Sequence, residues 1–544
     1  MSKPGALVGA WVGALLTAPL IAMFYLGWKL AGLPFVPFDV FDWVSRRLPG
    51  WVLTFGIERL VKLIRMLNLG STAVVAKAAE QSMAIVGLLV TGIIGGAVLF
   101  AILRAQNQGS NGRGGMRLGL LLGILIGVPV ALISLRTGAT ATTTPLLGGL
   151  WILAVFLAWG TAFGRVHARL TIEPGAAPHP VEPALGAAVE RIDRRRFLIR
   201  LGGAAAVITV SGAAVGSLVG SGRRREAVGG RRWSADHSLP NAGASLQPAP
   251  GTRKEFTPLE DHYRIDINLM PQAVSEQDWK LRIGGLVEKP VELTLADIRN
   301  NFTPIHQFVT LACISNEVAG DLIGTTRWTG VSLRRLLPAL GLRPEATHLK
   351  ISSADGFFEI VALDVIKDDE RVMLAYAWDG VPLLVDHGFP LRIFIPDRYG
   401  MKQPKWISSI EALDHWEGGY WVVRGWDREA RMRATSVIDT VAVNDIASVG
   451  GQRLVPVGGI AHAGARGISK IEVQVDNADW REARLRAPLS DTTWVVWRYD
   501  WPFQEGSHTL AVRCYDGKGV LQIAQLSEPH PSGATGLHTK RVKV

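Results

Sequence analysis

Apolar residues crowd the first 220 positions of this 544-residue chain and then give way to short alternating runs. Five stretches, 7–33, 82–103, 118–135, 145–164 and 197–220, are almost uninterrupted in hydrophobicity. Each approaches the ~20 residues a helix needs to cross a bilayer core, so an all-α membrane bundle of five spans is expected over 1–220. Glycines recur every fourth position at Gly92 and Gly96, at Gly119, Gly123 and Gly127, and at Gly212, Gly216 and Gly220. That spacing lets helix backbones approach closely and predicts that the spans pack together. Between the first two spans, 38–67 mixes Phe, Trp and Leu with Arg46, Arg47, Arg59, Lys62 and Arg65. The mixture predicts one or two amphipathic helices lying in the interface, not a further span.

Residues 221–255 are rich in Gly, Ser, Ala, Pro and Arg without an apolar period, and read as a linker. From 256 onward period-two alternation sets in. Strands are expected at 279–283, 291–293, 348–352 and 391–395, with a turn at Gly284-Gly285 and helices from 295 and over 332–340. Thr294, with Asp297 three positions on, resembles a capping box. The pattern predicts an α+β domain over 256–428. Over 429–544, runs such as 470–477, 493–497 and 508–517 alternate with turns and predict a β-sandwich. Cys514 falls mid-strand on the face of Val512, a core position; Trp480, Trp494, Trp497 and Trp501 read as packing.

Charge refines the membrane half. The net charge is +11, much of it in arginine clusters at 194–200 and 223–232. Beside apolar spans such clusters set topology and meet anionic lipid, and no nucleic-acid motif accompanies them. The partner they imply is the lipid bilayer. Asp193-Arg194-Arg195-Arg196-Phe197-Leu198-Ile199-Arg200, leading a weakly hydrophobic span, reads as a twin-arginine export signal inside the chain. The competing reading is ordinary positive-inside flanking. Five spans with Arg194–Arg196 inside place the second half on the extracytoplasmic side of the plasma membrane. Arg104, Arg113, Arg117, Arg165 and Arg169 then fall inside, whereas Arg46 to Arg65 and Arg223 to Arg232 fall outside, against the rule. The five spans contain no histidine, so a haem held between two histidines in the bilayer is not expected.

The chemistry centres on one of the two cysteines. Cys313 ends the run Thr310-Leu311-Ala312-Cys313-Ile314-Ser315-Asn316, followed by Gly324-Thr325-Thr326-Arg327-Trp328. A thiolate at a strand end suits a soft metal, although a lone cysteine is also an ordinary small core residue. A disulfide with Cys514 would remove the ligand. Further on come Asp386-His387-Gly388-Phe389-Pro390-Leu391-Arg392 and Tyr399-Gly400-Met401-Lys402-Gln403-Pro404-Lys405-Trp406. Together these motifs, in order over 255–544, resemble the sulfite-oxidase family of molybdopterin enzymes.

The resemblance implies a sulfite-oxidase-type molybdopterin domain, an immunoglobulin-like C-terminal domain that dimerises, and molybdenum with molybdopterin as cofactor. It implies Cys313 as metal ligand and catalytic residue with Asn316 beside it. It also implies His387, Arg392 and Lys405 gripping the cofactor, backbone amides of a 324–328 loop with Thr325 and Arg327 on the pterin, and Asn268 and Arg264 near the metal. Two departures bear on substrate. Animal and plant sulfite oxidases follow the motif asparagine with two arginines, where this chain has Glu317 and Val318, and the position of their active-site tyrosine falls near Phe357-Phe358. Sulfite-like anions and organic S- or N-oxides therefore both stay open as small-molecule substrates. No haem domain is evident, so electrons are expected to pass to a separate quinone or cytochrome. A rival reading makes the exterior a non-catalytic binding module with a structural Cys313. A transporter reading lacks intramembrane charged residues beyond the segment edges, such as Lys29 and Arg200.

Overall fold

A computed structural model describes residues 4–106, 112–138, 140–171, 183–223 and 231–544. The side chains of 183–195 lie outside the described set, and with them the Asp193–Arg195 part of the export motif. The chain forms two compact units. The first comprises Met1–Leu48, Lys77–Ala227 and Asn268–Met270; the second comprises Pro49–Ala76, Val228–Ile267 and Pro271–Val544.

The N-terminal helices are α1 (Ala6–Ala31), α2 (Val36–Ser45), α3 (Gly50–Met66), α4 (Thr72–Ala105), α5 (Gly112–Thr137), α6 (Pro145–Thr171) and α7 (Pro183–Arg223). Five of them, α1 and α4–α7, carry stretches long and apolar enough to cross a membrane. The glycine spacing does what it predicts for two pairs. A Cβ added at Gly119 would collide with the carbonyl of Gly160, and one at Gly9 with the carbonyl of Gly96. Helix α6 runs past its apolar stretch and takes in His167, buried against Phe100 with ring centroids 5.0 Å apart.

The 38–67 segment is not a further span, as expected, and it is not a separate element either. It makes two helices, but α2 sinks into the first unit: Asp39 accepts hydrogen bonds from Ser134 (2.8 Å) and Thr140 (2.9 Å). Helix α3 belongs to the second unit, where it buries Thr54, Val61 and Ile64.

Nor is the described part of 221–255 a loose linker. Trp233 N donates to Asp379 O (2.7 Å). The buried Arg486 guanidinium donates to Glu255 (2.9 Å) and to the carbonyls of Asn241 (2.9 Å) and Leu246 (2.6 Å). A polar, glycine-rich stretch can pack in this way because its backbone carbonyls satisfy a buried guanidinium.

Between Leu281 and Leu413 the second unit has ten strands: β1 (Leu281–Gly285), β2 (Val291–Leu293), β3 (Pro304–Ala312), β4 (Ile323–Ser332), β5 (His348–Ser353), β6 (Phe358–Ala362), β7 (Met373–Trp378), β8 (Val381–Pro382), β9 (Arg392–Phe394) and β10 (Ile407–Leu413). They form two sheets, β2-β1-β10-β5-β6 and β3-β4-β7-β8, with β9 paired to β7 in the second. The helix Leu295–Asn301 opens with the full capping box, Thr294 and Asp297 each accepting from the other's backbone N–H. The second sheet positions the site, since Cys313 directly follows β3.

Seven strands between Thr435 and Lys543 form one hydrogen-bonded path, with an eighth, Ala447–Val449, pairing off it, where a β-sandwich was expected. Its first strand returns to its last through Ile438 N, which donates to His538 Nδ1 (3.0 Å), so the sheet is nearly a barrel. Cys514 is buried there opposite Ile471. Both cysteines are free thiols, which removes the disulfide alternative.

Candidate functional site

Strand β3 delivers Cys313 to a loop that folds back on itself. Cys313 N donates to Leu322 O (3.0 Å), and Asn316 N to Cys313 O (3.1 Å). The Asn316 side chain accepts from Leu322 N (2.9 Å). Asn316 therefore holds the loop closed, which is what its geometry supports in place of direct chemistry. The thiol is partly buried, with Ser315 Oγ at 3.0 Å. Burial pushes its pKa up, and the Ser315 hydroxyl and neighbouring backbone partly offset this.

Behind Cys313 lies a buried cluster of basic side chains. The His262 and His387 rings are 5.6 Å apart, and Trp378 lies 5.4 Å from the first and 4.5 Å from the second. Arg392 sits with its guanidinium 4.5 Å over the Trp328 ring, and its Nη1 donates to His387 O (2.9 Å). Lys405 Nζ pairs with Asp266 (3.2 Å), as does Arg264 Nε (2.7 Å). Gly388, at φ +110°, lets these groups converge: an added Cβ would meet Lys405 Cβ at 3.0 Å and Arg392 Cβ at 3.2 Å. Left-handed backbone of this kind is a position for glycine. Tyr263 bridges the two halves electrically, feeling both Cys313 and Arg392.

Three cations thus face one deeply buried carboxylate, Asp266. Asp386, nearly half exposed, is 3.7 Å from Arg264 at the edge. Burial holds His262 down to about 4, Lys405 to about 8, Arg392 to about 10 and His387 well below its ordinary value; neighbouring basic groups add to this for the two histidines, while Asp266 partly offsets it for Lys405. Buried polar atoms here also lack partners: the donors Trp328 Nε1, Trp378 Nε1 and Arg392 Nε, with His262 Nε2 and the Thr326 hydroxyl beside them. Buried polar groups are normally satisfied, so unpartnered donors concentrated around excess positive charge describe a pocket for an anionic, hydrogen-bonding group. A pterin with a phosphate tail fits that donor set.

The expected 324–328 loop is strand β4, and strand alternation sorts its residues. Its backbone amides are engaged by β3, in the register Thr310↔Thr325, and by Thr257. Gly324, Thr326 and Trp328 face the cluster; a Cβ at Gly324 would come 3.0 Å from the His262 ring. Thr325 and Arg327 face away, Thr325 against Thr310 (2.5 Å) and Arg327 5.0 Å from the Trp233 ring. Asn268 lies in the first unit, where it accepts from Arg46 (2.5 Å) and its carbonyl accepts from Lys77 (2.9 Å). The structure therefore brings together His387, Arg392, Lys405 and Arg264 near Cys313, and turns Thr325 and Arg327 to the other face of β4. Sequence reasoning missed His262, Tyr263, Trp328 and Trp378. Alternation from the β3 pairing would have chosen 324, 326 and 328.

The depressed imidazole pKa values set a pH dependence for the cofactor-free protein. Between pH 6.5 and about 4 the unfolded chain protonates His262 while the folded one does not. Stability therefore falls on acidification, by at most about 1.4 kcal/mol per pH unit for each such imidazole. Anion loading favours the charged form and flattens this slope. Calorimetry of cofactor-free and loaded protein from pH 4 to 8 checks it, the expected outcome being a steeper acid loss without cofactor.

Comparison with known proteins agrees with this geometry. The family described as "Oxidoreductase molybdopterin binding domain" matches residues 268–421. The nitrate reductase of Hordeum vulgare is 25% identical over 324 residues, covering 48% of this chain and 36% of that protein. Sulfite oxidase of Arabidopsis thaliana is 25% identical over 274 residues, covering 42% and 69%. The chain spans about a third of the length of the nitrate reductases it matches. Among solved structures, the sulfane dehydrogenase SoxCD from Paracoccus pantotrophus aligns with a TM-score of 0.47 at 21% identity, over 58% of this chain and 88% of that one. With the cysteine, the basic cluster and the matched domain in one place, residues 268–421 carry an oxidoreductase molybdopterin binding domain similar to those of sulfite oxidase and nitrate reductase.

Proposed function

We propose that the chain is a membrane-held molybdenum oxidoreductase that transfers an oxygen atom at a Cys313-ligated metal. The observation that carries this reading is the buried, under-compensated cluster of His262, His387, Arg392 and Lys405 beside a free, partly buried thiol. Arg392 and Lys405 would hold the anionic tail, while the unpartnered donors on Trp328 and Trp378 and the open Nε2 of His262 would meet the pterin. Bound there, the molybdenum cofactor supplies two-electron oxygen-atom transfer. Electrons would come from or go to a separate carrier, a quinone or a cytochrome. We further propose an extracytoplasmic catalytic half, export through the twin-arginine motif at 193–200, and a homodimer through the C-terminal sheet.

Substrate class follows from charge. A small, partly open cavity lies beside the loop, lined by Arg253, Asn316, Glu317, Tyr399 and His462 among others. Arg253 is engaged by Asp439 (2.7 Å), and Glu317 is paired with Arg65. Burial, with Arg466 and Arg253 nearby, pushes His462 down to about 4, so it is neutral at ordinary pH. A cavity whose charges cancel favours an uncharged, dipolar oxide over a sulfite-like anion.

The test starts with molybdenum and pterin content of the full chain from a host that makes the cofactor. Near-stoichiometric amounts are expected. With dye donors and acceptors, reduction of dimethyl sulfoxide or trimethylamine N-oxide should then exceed sulfite oxidation about tenfold or more, a 1.4 kcal/mol preference. Faster sulfite oxidation would overturn the substrate class alone. Absence of both metal and pterin would leave a membrane-held binding module.

A further inference from the structure

We propose that residues 49–76, the chain between the first two apolar spans, form part of the wall that shapes the Cys313 loop, with Arg65 as a positioning residue. The inference goes beyond the enzymatic reading and does not depend on it. Three contacts within the second unit carry it. Helix α3 packs its first residue on the turn Val422–Arg424, so closely that a Cβ at Gly50 would lie 2.5 Å from Arg424 O. At its last turn, Arg65 pairs with Glu317, both about one-third exposed (32% and 31%). The buried Thr72, first residue of α4, donates its N–H to Asp321 Oδ2 at 2.7 Å. A carboxylate on an otherwise unsatisfied helix N-terminal amide is a stabilising cap.

Glu317 and Asp321 are the two charged residues of the loop, and each is engaged by this one segment. The loop passes their positions on to the thiol. Gly320 N donates to Glu317 O (2.9 Å), and Asn316 ties across to Leu322, whose carbonyl receives Cys313 N. There is also a chemical reason for Arg65. Glu317 puts a negative charge where the sulfite-oxidase pattern has an arginine, at the rim of the cavity described above. Arg65 returns a guanidinium to that position from 252 residues away.

The test uses the full chain in cofactor-free form. Hydrogen exchange of 310–324 and the alkylation rate of Cys313 by iodoacetamide are compared among wild type, Arg65→Met, Arg65→Lys and Arg65→Met/Glu317→Gln; the buried Cys514 does not compete. Arg65→Met should speed both about fivefold, in line with loss of a partly exposed ion pair. Arg65→Lys should stay within about twofold of wild type, and the double variant should recover much of the loss because no unpaired charge remains. Unchanged loop exchange and alkylation in Arg65→Met would overturn the proposal. So would an equal rise in exchange in the distant strand 468–475, which would make Arg65 a general stabiliser.

Discussion

Replacing Cys313 by serine should abolish turnover while leaving pterin in place. A metal ligand sits closer to the reaction than the groups that orient ligands, whose loss typically costs about 10–100-fold. Cys313→Ser should therefore cost at least on the order of 100-fold in kcat, because a hard hydroxyl replaces a soft thiolate. The cluster that would hold the cofactor's tail does not include residue 313, so pterin content should stay near wild type while the metal's absorption and paramagnetic spectra change. Measuring the three together separates roles. Retained activity would return Cys313 to a structural part, and simultaneous loss of pterin would mean that the thiol, not the basic cluster, secures the cofactor.

Arg392→Met should do the reverse. Its guanidinium is buried, stacked on Trp328, tied to His387 O by one donor and left with an unpartnered Nε. Charge-assisted hydrogen bonds contribute roughly 1.5–3 kcal/mol, so losing this group should lower cofactor content about tenfold or more. The cofactor-free protein should move the other way. Without an anion, Arg392 is a desolvated cation among other cations, and a methionine of similar length relieves that cost. The variant is expected to bind less molybdopterin yet melt at a higher temperature than wild type when both are empty. Calorimetry on matched cofactor-free samples reads this directly. A lower melting temperature would mean that Arg392 is chiefly a packing residue.

Parts of this site were legible in the residues. Cys313, His387, Arg392 and Lys405 sit in dense local motifs, with Gly388 supplying a left-handed turn that only the motif's spacing could announce. Thr325 and Arg327 were misjudged because the 324–328 stretch, polar and glycine-bearing, looks like a loop. Pairing with β3 makes it a strand, and a strand sends alternate side chains to opposite faces. His262 and Tyr263 lie in an irregular segment without period, so nothing local marked them.

The sequence alone determined what depends on neighbours along the chain. Apolar length defined five helices long enough to cross a membrane, four-residue glycine spacing told which helix faces touch, and Thr294 with Asp297 capped a helix. The tertiary structure alone decided what depends on partners far away in the chain. It placed α3 and Thr72 in the second unit through Glu317 and Asp321, some 250 residues on. It put Asn268 in the first unit with Arg46, packed the 231–255 strap around Arg486, and chose the face of β4 that meets His262. The physical reason is one of range. Periodicity and capping arise from contacts a few residues apart, whereas strand register, charge compensation and burial arise only when distant segments meet.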